Sequence, residues 1–329
     1  MDLQLTEEQR WLAESVDELA SRERAERLWP ALVEFGALEV GGDDGLGAVE
    51  LTLVARGLGA KLAAVPFVES AAVRFVLDGG PFAAAPCLSE PGRRFAPKDP
   101  ATALEDGRIV GEKNAVAYAP TVEAFAVPAV SPDGLVLARV AREAAEIEPE
   151  ETLDRTLEPA LVRFDSAPDR IVDDSLAVTT LAAVAGVLAS AESLGAASAA
   201  LELAREYASQ RRQFGHTIGS FQAVRHILAD MYVKVESSWS SILYAAASLD
   251  EREPGSLRTA SVARAYTARA TRDVAHDALQ VFGGIAFTAE HPAHRFLRRI
   301  VARGGHYGTA RDHERALGRG LAQQVEVLT

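Results

Sequence analysis

Residues 205–247 form the stretch that most constrains the fold, because they carry a long apolar stripe at helical spacing. The stripe consists of apolar residues at steps of three and four, namely Phe221, Val224, Leu228, Met231, Val235, Trp239 and Ile242. A long helix with one apolar face is typical of a helical bundle. The stripe therefore predicts a helix inside a bundle, with Ser220 as its N-cap.

The segment RRQFGHTIG, residues 211–219, interrupts the helical pattern just before this stripe. Gly215 and Gly219 break the period. Arg211 and Arg212 place two guanidiniums beside the free backbone N–H groups at the start of the next helix, where a phosphate is readily held. An arginine pair in a turn between helices is also common on solvated surfaces, so the residues alone leave both interpretations open.

Composition excludes several classes of protein. The chain has 329 residues, 48% of them hydrophobic, and a formal net charge of −13. This acidic balance argues against a nucleic-acid partner. The acidic, amphipathic start MDLQLTEEQRWL resembles neither a signal peptide nor a transit peptide, and the lone Cys87 fits a reducing compartment. The uncharged run 175–191 is shorter than the roughly 20 residues that a bilayer requires, so we interpret it as a buried helix and expect a cytoplasmic protein with no membrane association.

The chain divides into three regions of different character. Residues 1–84 look helical, with Thr6 as an N-cap, and residues 85–170 contain short β-rich runs separated by Gly, Pro and Asp. Residues 171–329 are helical again. We expect the helix boundaries of this last region at Gly195, Gly215, Pro254-Gly255, Gly283-Gly284 and Gly304-Gly305. The predicted fold is mostly α, with an N-terminal helical domain, a middle β-barrel-like domain and a C-terminal four-helix bundle.

Motifs in three regions resemble those of the acyl-CoA dehydrogenase family. The family pattern Y…R.QFG..I..FQ…..ADM is matched by Tyr207, Arg211, Gln213-Phe214-Gly215, Ile218, Phe221-Gln222 and Ala229-Asp230-Met231. The run QVFGGIAFTAE, residues 280–290, resembles the family's Q..GG.GF..E signature, although Ala286 replaces the usual Gly. The run CLSEPG, residues 87–92, resembles the end of a strand that borders the flavin ring in the family.

The resemblance implies an FAD site shared between subunits, and therefore at least a dimer. The residues assigned to cofactor binding by the resemblance are Ser89, Arg211, Phe214, Gln222, Gln280, Gly283, Gly284 and Thr309. The sequence departs from the family pattern in the middle region, where Ala115 and Ala117 replace the Trp and Thr that contact the flavin in the family. In addition, GRRFAPKD replaces the turn that helps to seat acyl-CoA.

The reaction that the resemblance implies is α,β-dehydrogenation of an acyl-CoA thioester, with a carboxylate as the base. The family spacing from Phe287 places the usual Glu at Tyr307, within Tyr-Gly-Thr. The position used by other members is Ala185, followed by Gly186 where many members carry an Arg. A tyrosine could act as a base only if its pKa were lowered substantially from about 10, so the catalytic residue is left unassigned.

The remaining ionisable residues do not fill this gap. We interpret Asp312 and Glu314 as surface charges. The histidines are expected to be cap and surface residues, and no metal site is predicted; they are His216, His226, His276, His291, His294, His306 and His313. No glycine motif of a nicotinamide-binding Rossmann domain follows a strand.

Two functions of different class remain open. The first is a flavoprotein acyl-CoA dehydrogenase. One assembly for it is a heterotetramer whose partner subunit carries the Glu, as the resemblance to short members that act on bulky acyl groups such as sterol side chains implies. A homodimer or homotetramer is the other assembly, and electron-transfer flavoprotein or a similar protein is the expected acceptor. The second function is a non-catalytic homo-oligomeric scaffold that retains the fold.

Overall fold

The N-terminal part of the protein is helical. The computed structural model describes residues 3–41, 45–77 and 83–326. The N-terminal helices are α1 (Glu7–Arg22), α2 (Ala25–Glu34), α3 (Ala48–Ala60) and α4 (Phe67–Arg74). Helix α1 begins as predicted at Thr6, whose Oγ1 accepts a hydrogen bond from the backbone N–H of Gln9 at 3.2 Å. The Gln9 side chain accepts from the backbone N–H of Thr6 at 3.0 Å, which completes a capping box.

The middle part is one β-sheet. Its strands are β1 (Ala84–Pro86), β2 (Ala103–Glu105), β3 (Arg108–Val116), β4 (Ala124–Ser131), β5 (Gly134–Ala141), β6 (Ala145–Pro149), β7 (Ala160–Ser166) and β8 (Arg170–Val172). The strand order is β6-β7-β3-β2-β4-β5-β8, and β1 pairs in parallel with β4. These strands include the β-rich runs seen in the sequence.

Strand β4 joins the sheet to the helices because side chains alternate between its two faces. Phe125 and Val127 belong to the core of the sheet, where Phe125 makes an edge contact with Phe164 at 5.8 Å between ring centroids. Ala126, between them, packs into the core of the helices. Both faces of this strand are therefore buried, which explains its nearly continuous apolar sequence.

The C-terminal part is the predicted helical bundle. Its helices are α5 (Ser175–Gln210), α6 (Gln222–Asp250), α7 (Ser256–Phe282), α8 (Ala293–Gly305) and α9 (Ala310–Glu326). Among the described helices, α5 is long and apolar enough to cross a membrane, yet most of its apolar stretch is buried within the molecule. This burial agrees with the buried helix predicted for residues 175–191.

Gly195 lies inside α5, so the helix boundary expected there is wrong. A Cβ at Gly195 would lie 1.9 Å from the carbonyl oxygen of Arg56, and a Cβ at Gly59 would lie 2.0 Å from that of Glu192. Glycine at these positions allows the backbones of α3 and α5 to touch. The N-terminal helices and the bundle thus share one hydrophobic core, and the proposed domain boundaries at 84/85 and 170/171 stay predictions.

Candidate functional site

The loop between α5 and α6, residues 211–221, begins with a tight hairpin and is called the Arg211 loop below. Strand β9 (Arg212–Gln213) pairs antiparallel with β10 (His216–Thr217). The residues between them, Phe214 and Gly215, have φ of 53° and 81°, as a type I′ turn requires. A positive φ costs about 1–2 kcal/mol at a residue with a side chain. The Phe214 ring is nevertheless 88% exposed, so packing within this chain does not explain its presence.

The guanidiniums of the Arg211 loop have no partner among the residues that the structure describes. The backbone N–H of Arg211 donates to the carbonyl of Tyr207 at 2.8 Å, and its carbonyl accepts from the N–H of Ile218 at 2.8 Å. The side chains of Arg211 and Arg212 are exposed, and neither pairs with another residue in the described part of the chain. The backbone of Arg211 is fixed while its charge remains available to a ligand.

Ser220 does not cap α6, so that prediction is wrong. The hydroxyl of Ser220 donates to the carbonyl of Thr217 at 2.7 Å, and Phe221 occupies the N-cap position. A 3-10 turn over Ile218–Ser220 holds the serine one residue too early for capping. Gln222, the first residue of α6, is exposed.

The segment that follows α7 presents bare backbone. Gln280 is exposed near the end of the helix, and Gly283 ends it with φ of 66°. A Cβ at Gly283 or Gly284 would meet no atom within 4 Å. Phe287, in the same turn, is 80% exposed, whereas Ala286 is buried. The turn therefore leaves backbone and one aromatic ring open to a partner or ligand.

The Arg211 loop and the Gly283 turn lie at the same end of the bundle. Tyr207, one helical turn before Arg211, contacts Phe282 with 5.4 Å between ring centroids. Phe282 immediately precedes Gly283. The contact brings two sequence-predicted segments of one chain side by side, although they are far apart along the sequence.

Ser89 lies in a rigid turn at the sheet. Its carbonyl accepts from the N–H of Asn114 at 3.1 Å. The next residue, Glu90, accepts from Nζ of the buried Lys113 at 2.7 Å. Burial alone would raise the pKa of Glu90, but hydrogen bonds from the Ala101 N–H and from Lys113 outweigh it and lower the pKa to about 2. Glu90 thus remains a carboxylate that anchors the Ser89 turn.

Tyr307 lies in the turn between α8 and α9 and is buried. Its hydroxyl donates a hydrogen bond to Oε1 of Glu69 at 2.8 Å. Burial, reinforced by the negative charge of Glu69, raises the pKa of Tyr307 well above its ordinary value. A phenol in this setting keeps its proton, so Tyr307 is unsuited to act as a base.

Buried ion pairs extend from Glu69 across the molecule. Arg303 contacts Oε1 of Glu69 at 2.5 Å and Oε2 of Glu192 at 2.6 Å. Arg299 contacts Oε1 of Glu192 at 2.6 Å and Oδ2 of Asp154 at 2.5 Å. Removing one member of such a chain leaves an uncompensated charge at a cost of about 3–5 kcal/mol. The ion pairs therefore hold α4, α5, α8 and the β6–β7 connection together.

Arg264 of α7 was not found by sequence reasoning. It is fully buried, and its Nη2 donates to the carbonyls of Arg303 and His306 at 2.6 Å each. Its Nε and Nη1 have no hydrogen-bond partner in the described structure. The Cγ and Cδ of Arg264 lie 3.9 Å from the Cβ position of Gly186, so its side chain passes over the position where many family sequences carry their own Arg.

His306 is buried, so the expectation that it lies at the surface is wrong. Its Nδ1 lies 2.9 Å from the carbonyl oxygen of Ala302. Burial, with the nearby charge of Arg303 second, lowers the pKa of His306 to about 4. The ring is therefore neutral at pH 7, and Nδ1 donates to the Ala302 carbonyl.

Thr309 in the same turn is exposed, and its hydroxyl donates to Oδ2 of Asp312 at 2.6 Å.

A cleft of ≈ 440 Å³ opens beside this turn and is called the Arg264 cleft below. It lies between loop 95–99 and helices α5, α7 and α9, and its wall includes both Gly186 and Arg264. Ala185, the neighbouring residue, is fully buried in the helical core. The cleft therefore reaches the helix region where the resemblance places the alternative base.

Residues 176–319 match the family model described as acyl-CoA dehydrogenase, C-terminal domain. Acyl-CoA dehydrogenase FadE27 of Mycobacterium tuberculosis is 30% identical over 90% of this chain and 88% of its own length. The chain belongs to the acyl-CoA dehydrogenase family.

Solved structures of acyl-CoA dehydrogenases share the fold over nearly the whole chain. A chain of the ChsE4-ChsE5 complex from Mycobacterium tuberculosis superposes with a TM-score of 0.86 and 27% identity, covering 98% of this chain and 99% of that one. Glutaryl-CoA dehydrogenase from Mycobacterium smegmatis in complex with FADH2 gives a TM-score of 0.82 at 17% identity, covering 96% and 95%. The predicted fold class is confirmed.

Against this acyl-CoA dehydrogenase background, neither sequence-derived base position offers a carboxylate. Tyr307 is a protonated phenol bound to Glu69, and Ala185 is an apolar core residue. Glu69, the carboxylate nearest to Tyr307, is itself buried and paired with Arg303. The two replacements seen in the sequence therefore leave no carboxylate at either position.

Proposed function

We propose that this chain is the subunit of an FAD-dependent, heteromeric acyl-CoA dehydrogenase that completes the flavin site but lacks a base of its own. The observation that carries the proposal is the hydrogen bond from Tyr307 to Glu69. This hydrogen bond keeps Tyr307 protonated, so the side chain at the position that the resemblance gives to the base is unable to accept a proton. A Glu-bearing family member is the partner that supplies the missing carboxylate.

The Arg211 loop and the Gly283 turn supply the chain's contacts to the cofactor. FAD, when bound, accepts the hydride that leaves the β-carbon of the thioester. Arg211 would neutralise a phosphate of the dinucleotide, Phe214 would pack on it, and Gln222 at the start of α6 would add a polar contact. Gln280, Gly283 and Gly284 would meet the adenine side of a flavin held by the neighbouring subunit, where bare backbone permits close approach.

The remaining assigned residues, Ser89 and Thr309, would bind the cofactor from the sheet and from the turn between α8 and α9. Ser89 offers its hydroxyl from a turn whose backbone is fixed by Asn114 and Glu90. Thr309 can act only as an acceptor, since its hydroxyl hydrogen is donated to Asp312. The guanidiniums without a partner among the described residues, the exposed Phe214 ring and the uncrowded glycines together fit a dinucleotide. An electron-transfer flavoprotein or similar protein takes the electrons onward.

The heteromeric assembly is supported by the likeness to a chain of a two-protein complex, ChsE4-ChsE5. The substrate class that follows from the family is an acyl-CoA thioester, oxidised in the cytoplasm. A scaffold without catalysis is the alternative, and it predicts that Arg211, Phe214 and Gly284 serve only contacts between chains.

The test is anaerobic reduction of bound flavin by acyl-CoA. The tagged chain is purified alone and together with the acyl-CoA dehydrogenase that co-purifies from its native host. We expect flavin in the complex to bleach with acyl-CoA, and replacement of the partner's base by Gln to abolish bleaching. Bleaching of the chain alone at the rate of the complex would overturn the proposal. A colourless complex would favour the scaffold.

A further inference from the structure

The Arg264 cleft contains a buried charge without a counterion. Arg264 makes no ion pair among the described residues, and its hydrogen bonds go only to two backbone carbonyls. Arg303, whose backbone carbonyl accepts from Arg264, has its own guanidinium paired with Glu69 and Glu192. A buried cation of this kind is unfavourable unless an oxygen ligand completes its hydrogen bonds. Nε and Nη1 have no hydrogen-bond partner among the described residues, and a ligand that reaches Arg264 from the cleft would supply one.

The walls of the cleft are mainly apolar. Phe95 of the loop, Ala183 of α5 and Ala260 of α7 lie in the wall with Arg264. The fitting ligand thus has an apolar body, which these side chains remove from water, and an anionic oxygen group at the buried guanidinium, which is a strong bidentate donor to carboxylates.

The rim of the cleft is cationic. Lys98, Arg258 and Arg319 line it, are exposed, and make no ion pair with any residue in ranges 3–41, 45–77 and 83–326. The rim also carries the carboxylates of Asp99, which pairs with Arg93, and of Asp312, and the three cations outnumber them. This free positive charge, in a chain of net charge −13, favours a second anionic group outside the apolar body, such as a phosphate.

We propose that the Arg264 cleft binds an acyl-CoA whose acyl group carries a carboxylate, with the carboxylate at Arg264 and the CoA phosphates at the rim. The CoA part rests on the proposed function, whereas the carboxylate rests on Arg264. Because neither Tyr307 nor Ala185 can take a proton, the cleft binds this thioester without dehydrogenating it. The ligand stabilises the chain by offsetting the buried charge of Arg264.

Calorimetric titration of the full chain with paired thioesters tests the proposal. Succinyl-, glutaryl- and adipyl-CoA carry the carboxylate, and butyryl-, valeryl- and hexanoyl-CoA are the neutral counterparts of equal carbon number. We expect one carboxylated probe to bind at least ~10-fold more tightly than its counterpart, as two charge-assisted hydrogen bonds allow. The ratio should fall to about 1 in Arg264→Gln, by loss of those two bonds. The control Arg258→Gln should weaken both probes and leave the ratio unchanged.

A second variant keeps the test independent of the folding of Arg264→Gln. Ala183→Phe fills the cleft and leaves the hydrogen bonds of Arg264 in place, so both probes should lose binding. Equal binding of paired probes to the wild type, binding of no probe, or undiminished binding to Ala183→Phe overturns the proposal. Because no partner or redox step is involved, failure here leaves the flavin-bleaching test of the proposed function unaffected.

Discussion

The hydroxyl of Tyr307 donates to Oε1 of Glu69, a residue 238 positions earlier in the chain, at 2.8 Å. The same carboxylate oxygen receives Nη1 of Arg303 at 2.5 Å. The turn that resembles the family's catalytic turn is therefore tied to the N-terminal helices. The Tyr307 side chain thus links the turn between α8 and α9 to helix α4.

This link predicts that a glutamate cannot be restored at Tyr307. Tyr307→Glu would bury a second carboxylate beside Glu69, and we expect a loss of about 3–5 kcal/mol in the free energy of unfolding. Tyr307→Phe removes only one hydrogen bond to a charged group and should cost about 1.5–3 kcal/mol. Urea unfolding measures both, with Tyr232→Phe on the exposed face of α6 as a neutral control. Wild-type stability of Tyr307→Glu with new bleaching by acyl-CoA would contradict the link.

Local patterns predicted much of this fold, and long-range contacts could not be predicted. The apolar stripe of α6 and the Thr6 capping box depend on residues within a few positions of each other, which a sequence displays directly. Burial of His306 and the pairing of Tyr307 with Glu69 depend on helices brought together by folding. The helix boundary predicted at Gly195 is wrong for the same reason, since Gly195 approaches Arg56 where two helices cross.

The candidate site shows the same division. The motifs identified Arg211 and Gly283, and the structure adds that they share one end of the bundle through Tyr207 and Phe282. Arg264 carries no motif, because its importance arises from contacts made on folding with the backbone carbonyls of Arg303 and His306. The assignment of cofactor contacts stays a prediction that binding measurements must test.

The close crossing of α3 and α5 predicts that one methyl group added at Gly195 strongly lowers the free energy of unfolding. Gly195→Ala would force the backbones of the two helices apart, because its Cβ would lie 1.9 Å from the Arg56 carbonyl oxygen. We expect a loss of about 3 kcal/mol in unfolding free energy, as for severe overpacking. Gly318→Ala in α9 meets nothing within 4 Å and should gain about 0.5–1 kcal/mol. Similar values for the two variants in thermal or urea unfolding would show that α3 and α5 are not in contact.

The anchor of the Ser89 turn predicts a pH dependence of stability. The folded pKa of Glu90, about 2, lies below its ordinary value of 4.5. A lowered carboxylate pKa stabilises the fold fully above the ordinary value, and this contribution is lost as the pH falls from about 4.5 to about 2. Glu90→Gln should cost about 2 kcal/mol at pH 7, and the difference from the wild type should shrink across that window. Asp133→Asn in an exposed turn is the control, and a difference independent of pH would contradict the anchor.

Phe214 offers a test that separates folding from cofactor binding. Its positive φ is unfavourable for any residue with a side chain, so Phe214→Gly should raise the free energy of unfolding by about 1 kcal/mol. The matched control is Asp106→Gly, because Asp106 has a φ of 49° in the β2–β3 turn and lies outside the Arg211 loop. Both variants relieve backbone strain, but only Phe214→Gly removes the exposed ring that we assign to the flavin site. Flavin absorbance per chain in the purified complex should therefore fall for Phe214→Gly and remain unchanged for Asp106→Gly. Equal flavin content in the two variants would mean that Phe214, despite its unfavourable backbone φ, serves a purpose other than holding the dinucleotide, such as contact between chains.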